Sequence, residues 1–145
     1  MIKEFQKEYR WLSNFIPVEI KLLGQIFPSV EHAYQSLKSD DPDWKEYCTL
    51  ESNPAQIKRE SKNVILRKDW DIVKDDIMWE CQKQKYSQEP YRQKLIDTKN
   101  EQIQEGNYWG DTYWGVDLKT GKGENRLGKM IMKIRGELRG KNDND

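Results

Sequence analysis

The chain has little histidine and little cysteine, which limits the chemistry available to it. It contains one histidine, His32, and two cysteines, Cys48 and Cys81, among its 145 residues. These three residues do not have the spacing of a Cys/His zinc site, and the cysteines form no CxxC motif. We therefore expect no metal site, and we expect the cysteines to be reduced, buried thiols of a cytoplasmic protein.

The sequence also lacks long hydrophobic runs and an excess of charge of either sign. No apolar stretch approaches the 18 residues of a membrane-spanning helix, and the N-terminus has no signal-peptide core, so no membrane partner is expected. Lys and Arg number 25, as do Asp and Glu, which gives a formal net charge of zero. A protein that holds nucleic acid through its phosphates needs a basic surplus or a strong basic patch. The composition therefore argues against non-specific nucleic-acid binding and leaves room for a local anion pocket.

Aromatic residues compensate for a low hydrophobic content. Hydrophobic residues make up 35% of the chain and charged residues 34%, but there are six Trp and seven Tyr, whose rings each bury a large area. The length suits one domain, and neither a repeat nor a linker divides the chain. We expect a single domain over residues 1–139 and a frayed tail over 140–145, because the tail has nothing to bury.

Local patterns predict an α+β fold that is mostly helical, with a small antiparallel sheet. The alternation in Val18–Leu23, followed by a Gly-Gln turn, predicts a β-hairpin. Ser29 is a suitable N-cap for a helix that runs to about Ser39. Further helices are predicted over about 42–50 and 54–62, from Asp69, from Glu89-Pro90 and after Asn125, which is also a suitable N-cap.

Three polar residues share one face of the first predicted helix. Glu31, Gln35 and Lys38 stand at i, i+4 and i+7, and apolar residues such as Val30 occupy the core face. Such a charged stripe is most often only solvated. The functional alternative is a lysine of lowered pKa that attacks an anomeric carbon and forms a Schiff base, with a carboxylate nearby to move protons. His32 lies off this face and is interpreted as structural.

Three other segments mix glycine, aromatic and polar residues. Tyr9–Phe15 is either an N-terminal turn or a pocket wall that stacks on a ring. Glu105–Asp117, with two Trp-Gly pairs, is either a core corner or a stacking platform whose two terminal carboxylates act as acid, base or sugar ligand. Gly121–Gly128 is either a simple loop or a phosphate cradle made of free backbone N–H groups at a helix N-terminus. It is neither a Walker loop nor a GxGxxG motif.

In this order, the segments resemble the YbiA-like family, also called the NADAR domain. The matching motifs are Tyr9-Arg-Trp-Leu-Ser-Asn-Phe15, Phe27-Pro-Ser-Val-Glu-His-Ala-Tyr-Gln35 with Lys38, Asp111-x-Tyr-Trp-Gly115 and Gly123-x-Asn-x-Leu-Gly128, and the likeness covers about residues 4–139. The resemblance implies a compact, mainly helical domain with N-glycosidase activity, which cleaves the bond between a ribose carbon and an amino nitrogen. The implied substrates are riboflavin-pathway intermediates that carry a ribosylamine phosphate, or ADP-ribose attached to guanine. No metal or other cofactor is implied.

The resemblance also implies roles for individual residues. Lys38 matches the lysine proposed to form the Schiff base, and Glu31 and Glu105 match acidic positions of the catalytic set. The implied substrate-binding residues are Arg10, Trp11, Ser13, Asn14, Gln35, Trp114, Gly115, Asp117, Gly123, Asn125 and Arg126.

Two other classes of function fit the same features. A non-catalytic module that binds ADP-ribose or a nucleotide would use the same aromatic and glycine residues. A scaffold protein would use its charged faces only for solubility. Zero net charge favours small soluble metabolites over long DNA as the target. The glycosidase hypothesis depends on one geometric condition, that the amine of Lys38 and the carboxyl group of Glu31 open into a common cavity.

Overall fold

A computed structural model describes residues 1–144, with side chains described as far as residue 140. The part it describes confirms an α+β fold that is mostly helical with a small antiparallel sheet. The helices are α1 (Val30–Ser36), α2 (Pro42–Leu50), α3 (Pro54–Glu60), α4 (Trp70–Lys85), α5 (Tyr91–Asp97) and α6 (Arg126–Asn144). The strands are β1 (Ile20–Leu22), β2 (Gln25–Phe27), β3 (Gly106–Asn107) and β4 (Val116–Asp117), and short 3-10 helices cover Lys7–Leu12 and Ser61–Asn63.

The chain divides into two compact units. The central unit is Asn14–Lys85, and the flanking unit combines Met1–Ser13 with Tyr86–Asp145. The single-domain boundary at residue 139 stays a prediction. Of the tail predicted to fray, α6 includes residues as far as Asn144, and residue 145 lies outside the described residues.

In the central unit, α1 is surrounded by other elements. β1 and β2 pair in antiparallel register, with Ile20 opposite Phe27, and α1 packs against this hairpin and against α2, α3 and α4. All seven residues of α1 are buried for this reason. The N-cap is confirmed, since the Ser29 hydroxyl accepts a hydrogen bond from the backbone N–H of His32 at 3.2 Å. The division of α1 into a core face and a solvent face is wrong, because neighbours cover every side.

The C-terminal limit of α1 also differs from the prediction. The helix ends at Ser36 and not near Ser39, so Lys38 lies in the turn that follows it. The carbonyl oxygen of Lys38 accepts a hydrogen bond from the backbone N–H of Arg67 at 2.9 Å. The backbone N–H of Lys38 donates to the carbonyl oxygen of Gln35 at 3.1 Å, a tighter turn with which the helix ends.

The other helices of the central unit start where their caps predict. The side chain of Asp41 accepts a hydrogen bond from Asp43 N–H at 2.9 Å, and that of Asn53 accepts one from Ala55 N–H at 3.0 Å. A proline follows each cap at the first helical position. The predicted starts of α2 and α3 are therefore confirmed.

In the flanking unit, α5 packs against α6, and the buried side chains include Leu95, Leu127 and Ile131. β3 and β4 form a two-residue parallel pair, with Gly106 opposite Val116. Lys99 has a φ of 55° in the turn after α5.

Candidate functional site

A buried polar cluster surrounds α1 in the central unit. Glu31 is 6% exposed and Gln35 is 8% exposed, and the Gln35 amide donates a hydrogen bond to Glu31 Oε1 at 3.0 Å. The Gln35 side-chain oxygen is buried with no hydrogen-bond partner among the described residues. Because buried polar groups are normally paired, an unpaired acceptor here suits a donor group on a ligand. The interpretation of this stripe as solvated is wrong.

Lys38 belongs to the same cluster. Its side chain is half-buried, and this burial lowers the pKa of the amine below its ordinary value. The nearby carboxylate of Glu31 opposes this shift, whereas the positive charges of Lys62 and Lys74 add to it. A lowered pKa increases the fraction of uncharged amine near neutral pH, and this is the form that can attack carbon.

Asn14 connects the cluster to α4. Its backbone oxygen accepts a hydrogen bond from Glu31 N–H at 3.0 Å, and its side-chain oxygen accepts one from the Gln82 amide at 2.7 Å. Gln82 is fully buried, and no sequence motif singled it out. The central unit therefore brings together the predicted site residues Asn14, Glu31, Gln35 and Lys38, with Gln82 as an addition. We call these five residues the α1 cluster.

His32 and Cys48 lie near the α1 cluster, and both have structural roles. One His32 ring nitrogen hydrogen-bonds the Ser29 hydroxyl and the other the carbonyl oxygen of Glu51, both at 2.6 Å. Burial raises the pKa of the Cys48 thiol to about 12, with a smaller contribution from the charge of Glu31. Both cysteines are free and buried, as predicted. A neutral thiol is a poor nucleophile, so the α1 cluster leaves nucleophilic chemistry to its lysine.

In the flanking unit, the half-buried Glu105 is held by two asparagines. The side-chain oxygen of Asn125 accepts a hydrogen bond from Glu105 N–H at 3.0 Å, and the Asn107 amide donates one to Glu105 Oε2 at 3.1 Å. Gly115 lies so close to Glu105 that a Cβ atom there would collide with its carboxylate and backbone oxygens. We call Glu105, Asn107, Gly115 and Asn125 the Glu105 cluster; Asn107 is its unpredicted member.

The start of α6 is not a phosphate cradle of free amides. The backbone N–H groups of residues 124–127 already donate hydrogen bonds to the carbonyl oxygens of residues 112–115. Asn125 does not cap α6 with its side chain either, because its amide group bonds Glu105 N–H and the carbonyl oxygen of Ile103. The free-amide cradle and the Asn125 side-chain cap are therefore wrong, whereas the alternative of a simple loop agrees with the structure. Gly123 has a packing role, since a Cβ atom there would collide with Gly115.

Three other predicted residues of the flanking unit, Asp117, Arg126 and Trp114, are half-buried and make local contacts. Asp117 accepts a hydrogen bond from Lys119 N–H at 2.9 Å and so organises an exposed turn. Arg126 pairs with Glu124 at 3.1 Å, and its guanidinium lies 4.5 Å from the centre of the Tyr113 ring. Trp114 packs edge-on against the same ring at 4.9 Å. Which of the two carboxylates, Glu105 or Asp117, has a function stays a prediction.

Two residues of the first predicted segment, Tyr9 and Trp11, line a cavity of the flanking unit. Arg10 lies on the exposed side of the first 3-10 helix, and its carbonyl oxygen accepts a hydrogen bond from Ser13 N–H at 2.9 Å. Trp11 lines a cavity of about 790 Å³ together with Tyr9, Lys94 and Lys99. Of the predicted site residues, only Trp11 lines it. The cavity therefore does not coincide with the Glu105 cluster.

The residues that the sequence missed had a detectable signal. Gln82 and Lys85 follow Met78 and Cys81 at helical spacing, so they continue the core stripe of α4 with polar residues. Lys85 is fully buried, and desolvation lowers its pKa to about 7. Polar residues at core positions are therefore the signal that could have found them.

None of the helices in the described part of the chain has the length and apolar character needed to cross a membrane. The same part of the chain contains no group of three or more His, Cys, Asp or Glu side chains that could hold a metal ion.

Comparison with known proteins gives a consistent result. The family model of the NADAR domain matches residues 2–139. A protein of Shigella boydii serotype 4 (strain Sb227), named N-glycosidase YbiA, is 34% identical over 134 residues, which cover 90% of this chain and 82% of the relative. A riboflavin biosynthesis protein of Vibrio vulnificus (strain YJ016) is 32% identical over 93% of this chain and 37% of its own length. The NMR structure of E. coli YbiA matches with a TM-score of 0.84 and 30% identity, over 97% of this chain and 84% of that chain.

Proposed function

The chain belongs to the NADAR domain family, and from this premise we propose that it is an N-glycosidase acting on a phosphorylated ribose joined to an amino nitrogen. The relatives named N-glycosidase support the reaction class. The relatives named riboflavin biosynthesis proteins support a ribosylamine phosphate as one substrate to test. ADP-ribose attached to guanine is the other substrate that the family resemblance suggests.

One observation in the structure carries the proposal. The α1 cluster combines a buried carboxylate, Glu31, with a half-buried lysine, Lys38, whose pKa is lowered by burial and by two neighbouring positive charges. A structural ion pair on a surface would have the opposite effect, because it would raise the pKa of its lysine. The combination suits a nucleophile with a proton-transfer partner.

The proposed reaction starts with the uncharged amine of Lys38. Its nitrogen forms a bond to the anomeric carbon, and the bond from that carbon to the substrate nitrogen breaks with its electron pair on the leaving nitrogen. A carboxylic acid supplies the proton that this nitrogen needs, and Glu31 is the group in the α1 cluster able to supply it. Glu31, now a carboxylate, takes a proton from the lysine nitrogen and delivers it to the ring oxygen as the ring C–O bond opens, which leaves a protonated imine. Water then hydrolyses the imine to free lysine and the sugar aldehyde.

In the flanking unit, Glu105 is a second carboxylate that is held in position. Its carboxylate is half-buried and held by Asn107, so its position is set before substrate arrives. Positioned groups contribute more to catalysis than mobile ones, because no reorganisation is needed during the reaction.

The test measures release of the base and trapping of the imine. Purified protein is incubated with a ribosylamine phosphate and, separately, with ADP-ribosylated guanosine, and free base is measured by mass spectrometry. Lys38→Ala should lower turnover by orders of magnitude, whereas Lys45→Ala on α2 is the control lysine. Borohydride should reduce the imine to a stable adduct on the peptide that contains Lys38.

Each outcome separates the alternatives. Turnover with no borohydride adduct contradicts the covalent step and leaves direct attack by water. Binding of ADP-ribose with no turnover of either substrate contradicts the glycosidase proposal and favours a binding module.

A further inference from the structure

The flanking unit contains a cavity of about 790 Å³ that the proposed reaction does not use. Its lining comes from the start of the chain, including the first 3-10 helix, and from the end of α5 with the turn after it. All of these residues belong to the flanking unit. Small-molecule sites commonly measure about 300–1,000 Å³ and combine aromatic side chains with a few polar groups. The cavity therefore has the size of a small-molecule site.

Part of the cavity lining is aromatic. Tyr9 and Trp11 both line it, and both side chains are half-buried. The Trp11 ring also contacts the Tyr86 ring edge-on, with 6.4 Å between the ring centres. Tyr86 is fully buried, so this contact holds Trp11 in place. Rings held at a cavity offer a surface on which a planar ligand group can stack.

Two exposed lysines of the lining have no acidic partner. The side-chain amines of Lys94 and Lys99 make neither a hydrogen bond nor an ion pair with the described residues. The two acids of the lining already have partners. Asp97 accepts a hydrogen bond from a neighbouring glutamine at 2.8 Å, and Glu101 pairs with the N-terminal amine of Met1 at 2.8 Å. The two lysines can therefore pair with an anionic ligand.

Two arginines of α6 add positive charge at the same turn. Arg135 donates hydrogen bonds to the Thr98 hydroxyl at 2.9 Å and to the carbonyl oxygen of Glu101 at 2.8 Å. Arg139 donates one to the carbonyl oxygen of Lys99 at 2.9 Å. Burial lowers the pKa of Arg135, and the nearby charge of Arg139 lowers it further. Positive charges gathered in this way favour a negatively charged ligand.

The turn that carries Lys99 is strained and held in place. The φ of Lys99 is 55°, in the left-handed region that lysine rarely adopts. Arg139 fixes this conformation, because its guanidinium also donates to the side-chain oxygen of Asn100 at 2.7 Å. Strained backbone persists where its surroundings impose it, and it is concentrated at ligand sites. Since the turn is ordered in advance, less entropy is lost when a ligand binds.

From these features we propose that the cavity binds a nucleoside monophosphate, with its base on Tyr9 and Trp11 and its phosphate at Lys94 and Lys99. Inorganic phosphate would leave the rings without a contact, and an uncharged aromatic compound would leave the lysines unpaired. A ligand that carries both a planar ring and a phosphate contacts both sets of residues. The site shares no lining residue with the α1 cluster or the Glu105 cluster, so it lies outside the proposed function and does not depend on it.

The experiment maps ligand binding onto the full chain by NMR. The amide signals are followed during titration with adenosine 5′-monophosphate, with adenosine and with ribose 5-phosphate. The nucleotide should shift the backbone amides of residues 97–102 and the indole N–H of Trp11. It should bind at least about fivefold more tightly than either fragment, since each fragment lacks either the stacked base or the charged contacts. A nucleotide bound at the α1 cluster would shift other amides, so the two sites can be distinguished.

A pair of matched variants tests the role of the lysines. Lys94→Gln/Lys99→Gln should weaken nucleotide binding at this site roughly 5- to 30-fold, the range expected for two exposed charged contacts. Lys119→Gln/Lys122→Gln removes the same charge from exposed lysines of the same unit that do not line the cavity. This control should bind the nucleotide as the wild type does.

Four results would overturn the site. These are a titration that leaves residues 97–102 unshifted, a Lys94→Gln/Lys99→Gln variant that binds within twofold of wild type, an equal loss in the control variant, and a fragment that binds as tightly as the nucleotide. The measurement needs no turnover. A chain that hydrolyses no N-ribosyl substrate therefore contradicts the glycosidase alone, whereas unshifted amides at the turn contradict the nucleotide site alone.

Discussion

The Gln82 amide donates a hydrogen bond to the side-chain oxygen of Asn14 at 2.7 Å. The two residues stand 68 positions apart, and only one of them belongs to a motif. The Gln82 side-chain oxygen is buried with no hydrogen-bond partner among the described residues. A buried acceptor without a partner destabilises the folded protein. Gln82 therefore orients Asn14 but lowers the free energy of unfolding through its own unpaired oxygen.

Gln82→Leu should therefore separate stability from activity. The apolar side chain removes one unpaired oxygen but leaves the Asn14 side-chain oxygen without its donor, so the free energy of unfolding should change little. The Asn14 side chain loses its donor, so KM should rise while kcat changes less. Urea denaturation and steady-state kinetics check the two halves, and the Asn14→Ala/Gln82→Leu double variant should be no worse than Asn14→Ala alone. A large loss of stability in Gln82→Leu would contradict this account.

Glu31→Gln should lower turnover by roughly 10²- to 10⁴-fold, the usual contribution of a general acid or base. The amide has nearly the same shape and can still bond Gln35, so the fold should be retained. The loss of negative charge should also lower the pKa of Lys38 further, because Glu31 raises it. The measurement is kcat with circular dichroism as the fold control, and near wild-type kcat would exclude Glu31 as the acid.

Lys62→Gln should move the pH dependence of the reaction to higher pH. The charge of Lys62 lowers the pKa of Lys38, so its removal raises that pKa. The reactive form is the uncharged amine, and it then becomes abundant only at higher pH. The rising limb of kcat/KM against pH reports this shift. Lys45→Gln is the matched control, because Lys45 is not among the charges that shift the pKa of Lys38, and an equal shift in both variants would contradict the assignment.

Asn125 can be tested with two substitutions of opposite design. Asn125→Gly keeps the positive φ of 51° accessible but removes both side-chain hydrogen bonds, whereas Asn125→Asp keeps the acceptor for Glu105 N–H. Asn125→Gly should lose about 1–3 kcal/mol of unfolding free energy and lower activity through a less ordered Glu105. Asn125→Asp should retain more activity than Asn125→Gly. The reverse order would show that Glu105 needs no such support.

Lys85 should make stability depend on pH. With a folded pKa of about 7 against an ordinary value of 10.5, it binds fewer protons in the folded than in the unfolded protein within this interval. The free energy of unfolding should therefore rise with pH from about 7 upward, by at most about 1.4 kcal/mol per pH unit for one proton. Below pH 7 the lysine is charged in both states, and the burial penalty is present in full. Relative to wild type, Lys85→Met should be most stabilised at pH 6 and less so at pH 9, as measured by urea denaturation. A difference that does not vary with pH would contradict the buried pKa.

Helix starts could be predicted because their signals are local. Asp41-Pro42 and Asn53-Pro54 each supply a cap and a residue with a helical φ, and the helices begin there. The end of α1 was predicted less well. The helix ends at Ser36, and the carbonyl oxygen of Lys38 beyond it binds the N–H of Arg67, far along the chain.

Asn125 was predicted to be an N-cap, but its side chain makes other hydrogen bonds in the folded protein. Asparagine is a good N-cap because it carries a short acceptor, but its amide also offers donors. In the folded protein the acceptor meets Glu105 N–H and a donor meets the carbonyl oxygen of Ile103, both about twenty residues away. The amides at the start of α6 find partners in residues 112–115 in the same way.

The sequence by itself determined the family, the order of the helices and the residue types available for chemistry. Tertiary structure alone decided which of those residues are buried, and hence which are reactive. Glu31 and Lys38 could have formed a solvated stripe until neighbouring segments enclosed α1. The pKa of a side chain depends on the water it loses and on the charges that come near it. Residues far apart in sequence supply these charges, as Lys62 and Lys74 do for Lys38.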